Sequence, residues 1–76
     1  LMGGRVEALE FIVERNARVI DVPLQQMKRK SNLLIACIYR NGRVITPSGK
    51  DAFQAGDNVV VVTTQKGLNG IDDILA

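Results

Sequence analysis

The sequence contains no histidine and no tryptophan, and its single cysteine is Cys37. Without histidine, a zinc site would need carboxylates around one thiolate, and a serine or cysteine nucleophile would have no imidazole base. One cysteine excludes an internal disulfide and fits a reducing compartment. No apolar run reaches the roughly 18–20 residues that a membrane span needs, and no signal peptide is visible. These features predict a protein that is not an enzyme, holds no metal and does not insert into a membrane.

The composition predicts one small globular domain. The chain has 76 residues, 46% of them hydrophobic, and a net charge of +2. Two phenylalanines and one tyrosine are its aromatic residues, which, with the small charge, disfavours nucleic-acid binding. We predict a residual linker at residues 1–4 and a single domain over residues 5–76. A chain this small and apolar leaves apolar surface uncovered, which predicts self-association.

Residues 32–47 organise the chain as a β-hairpin. An unbroken apolar run is followed by Asn41-Gly42 and by a short alternating segment that stops at Pro47. Asn-Gly between apolar runs is the strongest short-range hairpin signal, because both central residues of a type I′ turn need positive φ. The two-residue loop predicts that Arg40 faces Arg43. Each residue before Arg40 then pairs with the corresponding residue after Arg43, as far as Cys37 opposite Thr46. The first strand is apolar on both faces, so we expect it to lie between the core and a second subunit.

Four further segments complete the predicted fold. A strand is expected from about residue 5 to residue 13, and a short helix over residues 23–27, with Asp21 as its N-cap. Residues 58–64 hold four consecutive valines and predict a central or covered strand. Residues 68–75 have helical spacing and predict a terminal helix that caps the sheet. The expected class is α+β: a four-stranded sheet or pseudo-barrel in the order β-X-β-β-X-β-α.

Taken together, these stretches resemble a known family. The resemblance depends on a Val-Pro-Leu step, an apolar strand with an Arg-Asn-Gly turn, a Val-Ile-Thr-Pro-Ser-Gly segment and a Gly-Asp turn before the valine strand. They occupy residues 22–24, 34–42, 44–49 and 55–62. In order and spacing they are similar to the C-terminal domain of TrkA-type potassium-uptake regulators, also called the regulator-of-potassium-conductance C-terminal domain.

The resemblance implies a regulatory role. Such domains pair into homodimers within a cytoplasmic subunit that binds a membrane potassium transporter at the inner face of the cell membrane. NAD or ATP binds a separate N-terminal Rossmann domain in these proteins, and this chain lacks the G-x-G-x-x-G motif, so no cofactor is expected here. In some relatives the dimer cleft binds cyclic di-AMP. Pro47 matches that site, and Asn32 matches it if the register is shared.

The predicted ligand-binding residues are Arg40, Asn41, Arg43 and Pro47. Like charges directly opposite each other destabilise a hairpin, and an anion between Arg40 and Arg43 would relieve the repulsion. The alternative interpretation is that both side chains extend into water at little cost.

Three functional hypotheses follow. The first is a non-catalytic regulatory and dimerisation domain of a potassium-uptake system that senses a small anionic ligand. The second is a small basic barrel that binds nucleic acid through Lys28, Arg29, Lys30 and the two hairpin arginines. The third is a purely structural dimerisation module.

Overall fold

The fold is an open, four-stranded antiparallel sheet. The computed structural model describes residues 5–76, and the predicted linker at residues 1–4 lies outside them. The strands are β1 (Glu7–Ile12), β2 (Leu33–Arg40), β3 (Arg43–Ile45) and β4 (Asn58–Thr63). Their order across the sheet is β1-β4-β2-β3. The described sheet therefore has two edges, β1 and β3, and does not close into the predicted pseudo-barrel.

The valine-rich strand lies in the middle of the sheet, as its composition predicts. β4 pairs with β1 on one side and with β2 on the other. Val59 and Val61 are fully buried, whereas Val60 and Val62 on the opposite face are half-buried. Within residues 5–76, only one of the two apolar faces of β4 is therefore covered.

The hairpin forms in the predicted register. Arg40 pairs with Arg43, and the next two residue pairs follow in order, after which the ladder ends at Ile45, so the predicted pairing of Cys37 is not part of it. Asn41 and Gly42 both have positive φ, of 50° and 76°. These angles are those of a type I′ turn, and its residue preference explains why the sequence alone located it.

A β-bulge in β2 changes which residues point to the core. The register against β4 shifts between Ile35 and Cys37, which leaves Ala36 as the extra residue. Ile35 and Ile38 are therefore both buried although they lie three positions apart. An alternating pattern of apolar residues in the sequence does not reveal this shift in register.

The core lies between the buried face of the sheet and the loops that cover it. Phe53 is fully buried in the loop between β3 and β4. The buried cluster comprises Val13, Val19, Leu24, Met27, Ile35, Ile38, Phe53, Val59, Val61, Ile71 and Ile74.

The predicted short connecting helix is wrong. Residues Leu24–Gln26 form a single 3₁₀ turn, closed by the Gln26 N–H donating to the carbonyl of Pro23 at 2.8 Å. The N–H groups of Leu24 and Gln25 donate to the carbonyls of the 49–51 loop, and the backbone is extended again at Met27, with ψ of 127°, so the segment ends after one turn. Asp21, the predicted N-cap, has a φ of 63° and makes no cap. Leu24 and Met27 are nevertheless both buried.

The predicted terminal helix is also a 3₁₀ turn, Ile71–Ile74. Asp72 accepts the backbone N–H groups of Arg18 and Val19, and Leu75 forms an isolated antiparallel bridge with Arg29. These contacts fix both ends of a four-residue segment, which is too short to nucleate an α-helix. No α-helix occurs within residues 5–76, and none of the described helical segments could cross a membrane.

Candidate functional site

At the hairpin tip, Arg40 binds a buried carboxylate of its own chain. Its Nε donates to Asp57 Oδ1 at 2.8 Å, and one terminal nitrogen donates to Asp57 Oδ2 at 2.9 Å. The same terminal nitrogen also donates to the carbonyl of Ala52 at 3.1 Å. The side chain of Asp57 is 1% exposed and that of Arg40 is 23% exposed. This bidentate pair fastens the end of β2 to the loop that precedes β4.

The surroundings of Asp57 favour its charged form. Burial alone raises the pKa of this carboxyl, but the hydrogen bonds from Arg40 and from the N–H of Gln54 outweigh it, so the pKa lies below its usual value. The hydrogen bond to Asp57 likewise raises the pKa of Arg40. Asp57 accepts the Gln54 N–H three residues earlier in the chain, as the side chain of a turn residue does. Its pairing with Arg40 was not predicted.

The four predicted ligand residues do not all lie together. Arg40, Asn41 and Arg43 share the hairpin tip, where Asn41 and Arg43 are exposed. Pro47 lies toward the other end of β2, in a groove of about 220 Å³ whose lining also includes Arg29. Arg43 makes no ion pair with any residue in the range 5–76. At the tip, the guanidinium of Arg40 is therefore paired with Asp57, whereas the guanidinium of Arg43 is exposed.

The repulsion between the facing arginines was the signal that could have led to Asp57. In the sequence, this repulsion indicated either an anion beside Arg40, expected from a ligand or a partner, or two side chains that extend into water. Asp57 supplies that anion from within, because β4 lies next to β2 and Asp57 immediately precedes β4. Pairing between strands about twenty residues apart is a tertiary property, so the sequence did not locate this partner.

The second candidate feature is the outer face of the sheet, which is the face that the core does not cover. Its apolar side chains include five that are between 46% and 70% exposed. Each strand contributes to it, and β4 supplies half-buried valines at its centre. The outer face comprises Val6, Ala8, Ile12, Leu34, Cys37, Tyr39, Val44, Val60 and Val62, with Glu10 and Asn58 among them. A contiguous apolar surface of this kind is typical of a protein interface.

Of the remaining charged residues, some bind backbone groups of this chain and others are exposed. Asp73 accepts the N–H groups of Asn69 and Gly70, which lowers the pKa of its carboxyl. Lys28 and Arg29, in the basic run, are exposed beside the C-terminal residues. Within residues 5–76, no group of three or more metal-ligating side chains lies close enough together to hold a metal ion.

The fold and these features define a class of protein: a small antiparallel sheet domain with one covered and one uncovered apolar face. The chain belongs to the TrkA-C domain family, whose model matches residues 8–76. This confirms the resemblance found in the sequence.

Named relatives come from two kinds of ion-transport protein. Over 72 residues, or 95% of the chain, it is 34% identical to the Trk system potassium uptake protein TrkA homolog of Archaeoglobus fulgidus. Over the same length it is 26% identical to TrkA homolog 2 of Methanosarcina mazei. Over 70 residues it is 24% identical to the K(+)/H(+) antiporter NhaP2 of Shewanella oneidensis. The chain spans 16% of each of these TrkA homologs and 12% of the antiporter.

Proposed function

We propose that this chain is the non-catalytic regulatory and dimerisation domain of a cytoplasmic subunit that controls a potassium-uptake transporter at the inner face of the membrane. Membership of the TrkA-C domain family supports the regulatory part, and the names of the TrkA homologs support the potassium part. NAD or ATP would bind a separate N-terminal Rossmann domain of the whole subunit. A ligand that prefers one arrangement of the dimer would then shift the subunit toward one transporter state.

The observation that carries the dimer proposal is the outer face. Its exposed members include Leu34 and Val44, which are 62% and 70% exposed, and the half-buried Val60 and Val62 lie between β1 and β2. A second copy of the chain offers the same apolar face, and two sheets that pack face to face exclude water from both. This arrangement agrees with the expectation that β2 lies between the core and a second subunit.

The dimer is tested by measuring molar mass with light scattering after size exclusion. Val44→Glu and Leu34→Glu place a carboxylate on the outer face and are expected to reduce the mass of the assembly. Lys50→Gln is the matched control, because it changes the net charge by the same amount at an exposed position away from that face. A wild-type chain that is strictly monomeric at high concentration contradicts the proposal, as does equal assembly of all the variants.

The hairpin tip is the proposed binding region for a small anionic ligand such as cyclic di-AMP. Arg43 provides an exposed guanidinium and Asn41 an exposed amide, while Asp57 holds Arg40 in place beside them. Pro47 would contact the ligand only if the ligand extends along the hairpin to its groove. We expect a phosphate-bearing ligand to contact Arg43 first, because the charge of Arg40 is already compensated.

The ligand proposal is tested by titrating the domain with cyclic di-AMP, ATP and NAD while recording backbone amide shifts. Shifts at Arg40 and Arg43 that disappear in Arg43→Gln support the tip, and a shift at Ser48 reports the groove around Pro47. An unmoved hairpin with every ligand contradicts ligand binding and favours the purely structural module. The nucleic-acid alternative has no supporting observation, since Asp57 neutralises one of the arginines that it requires.

A further inference from the structure

The edge strand β1 exposes unpaired backbone groups. The N–H of Val13 donates to the carbonyl of Asp57, so the odd-numbered residues of this strand direct their backbone groups toward β4. By alternation, the N–H and C=O groups of Ala8, Glu10 and Ile12 point away from β4. They have no hydrogen-bond partner within residues 5–76. An exposed row of such groups is a template for another strand.

The side chains at this edge are also unusually apolar for an exposed strand. Val6 and Ile12 are each 59% exposed on the outer face. On the opposite face, Leu9 is only half-buried and does not pack against the buried cluster. Strand addition at this edge would cover apolar side chains on both faces of the sheet.

We infer that β1 pairs antiparallel with β1 of a second copy, centred on Leu9, so that two sheets join into one of eight strands. This register places Leu9 opposite Leu9, Ala8 opposite Glu10, and Val6 opposite Ile12. Every backbone group that points away from β4 then meets one from the other copy.

Charge and side-chain pairing select this register over its neighbours. Centring the pair on Glu10 would set two carboxylates directly opposite each other, which is destabilising. Centring it on Ala8 would leave Ile12 without a partner among the described residues. The Leu9-centred register avoids both problems and pairs the exposed apolar residues with each other.

A groove beside β1 adds charge complementarity. Its volume is about 460 Å³, and its lining includes three acidic residues, Glu10, Glu14 and Asp72. The Leu9-centred register places the exposed Arg5 of one copy beside Val13 of the other, immediately before Glu14. Within the described residues neither Arg5 nor Glu14 has an ion-pair partner in its own chain. The self-complementary strand and this charge match favour a second copy of the chain over an unrelated extended peptide.

The edge pairing uses the backbone edge of β1, whereas the proposed dimer packs the outer faces together; the even-numbered residues of β1 border both. A two-fold axis through Leu9 is perpendicular to the sheet, so both outer faces lie on the same side of the eight-stranded sheet. Two such pairs packed by their outer faces would close into a tetramer with two kinds of two-fold interface. Failure of the edge pairing would therefore leave the proposed function unaffected.

Disulfide trapping tests the pairing and its register. In a Cys37→Ala background, Leu9→Cys should form a disulfide-linked dimer under mild oxidation. Directly opposed, non-hydrogen-bonded residues have Cα atoms about 4.5 Å apart, within the disulfide range. Glu10→Cys is the matched control, because its copy would lie diagonally at about 7–8 Å and should not cross-link. Cross-linking of Glu10→Cys alone overturns this register, and the absence of cross-linking in both variants overturns the pairing.

A backbone substitution tests the same inference without cysteine chemistry. Ala8→Pro removes an N–H that points away from β4 and leaves the β1–β4 hydrogen bonds in place, so the fold should persist. Ala8→Ser keeps that N–H and is the control. We expect Ala8→Pro to halve the mass of the assembly and Ala8→Ser to leave it unchanged. An unchanged mass in a folded Ala8→Pro variant, verified by its circular dichroism spectrum, overturns the inference. The Leu34→Glu variant separately reports the outer face.

Discussion

Replacing Asp57 by asparagine should destabilise the domain strongly. The carboxylate accepts two hydrogen bonds from Arg40, at 2.8 and 2.9 Å, and one from the Gln54 N–H at 2.9 Å. Removing one partner of a buried ion pair costs about 3–5 kcal/mol, because the other charge remains buried. We expect about 3 kcal/mol, the lower end of that range, since Arg40 is 23% exposed and keeps its bond to Ala52.

That loss is large for a chain of this size. At about 0.05–0.15 kcal/mol per residue, the whole domain has a free energy of unfolding of roughly 4–11 kcal/mol. The melting temperature should fall by about 12–24 °C, at about 4–8 °C for each kcal/mol. Chemical denaturation at a fixed protein concentration measures the difference directly.

Two controls separate the ion pair from general effects on this region. Arg43→Met removes the exposed arginine that faces Arg40 and should change stability by less than about 0.5 kcal/mol. Asp51→Asn weakens a loop carboxylate bound to the Ser48 N–H at 2.7 Å and should cost about 1 kcal/mol or less. A loss below about 1 kcal/mol in Asp57→Asn would refute the reasoning.

The pH dependence of stability provides a second check on Asp57. Its pKa is lower in the folded state than in the unfolded chain, so as the pH falls the unfolded state binds the proton first. The stability from this group is present above the unfolded pKa of about 4 and is lost as the pH falls through the folded value. The Asp57→Asn variant should show a shallower loss in acid. Asp73, whose pKa is also lowered, keeps part of the slope.

Three further predictions concern positions away from this ion pair. Thr63→Val removes a buried hydroxyl that donates to the Asn32 carbonyl at 2.7 Å and should cost about 1–2 kcal/mol, whereas Thr46→Val, at an exposed position, should cost little. Equal losses of unfolding free energy in these two variants, measured by chemical denaturation, would contradict this prediction. Phe53→Ala empties a fully buried site and should cost about 3–5 kcal/mol; a smaller change in the denaturation midpoint would mean that the loop collapses to fill the cavity. Gly42→Ala puts a side chain at a φ of 76° and should lower stability by about 1 kcal/mol, and unchanged melting would show that the turn relaxes.

The hairpin and the central strand show how far sequence reasoning reached. Asn41-Gly42 predicted the turn and the pairing of Arg40 with Arg43, because a two-residue loop sets the register of the strands that it joins. The run of four valines predicted that its strand lies at the centre of the sheet, because an exposed edge of that composition would aggregate. Both inferences depend on residues close in sequence or on a single strand.

Both helix predictions failed for one physical reason. Residues 23–27 and 68–75 have helical spacing, but the helical part of each is only three or four residues long before the backbone becomes extended at Met27 and Leu75. The first segment is bound by the 49–51 loop, and Asp72 in the second binds the backbone of Arg18 and Val19. Segments this short do not offset the cost of nucleating an α-helix, so each forms a single 3₁₀ turn held by these contacts.

By itself, the sequence determined the hairpin at residues 32–47, the identity of the family and the excess of apolar surface. The tertiary structure alone decided which apolar face and which strand edges are uncovered within residues 5–76, and that Asp57 neutralises Arg40. The bulge at Ala36 and the placement of β4 between β1 and β2 bring together residues far apart in the chain. The local secondary-structure propensities of the residues do not encode those pairings. Their free energy comes from contacts that exist only after the sheet has assembled.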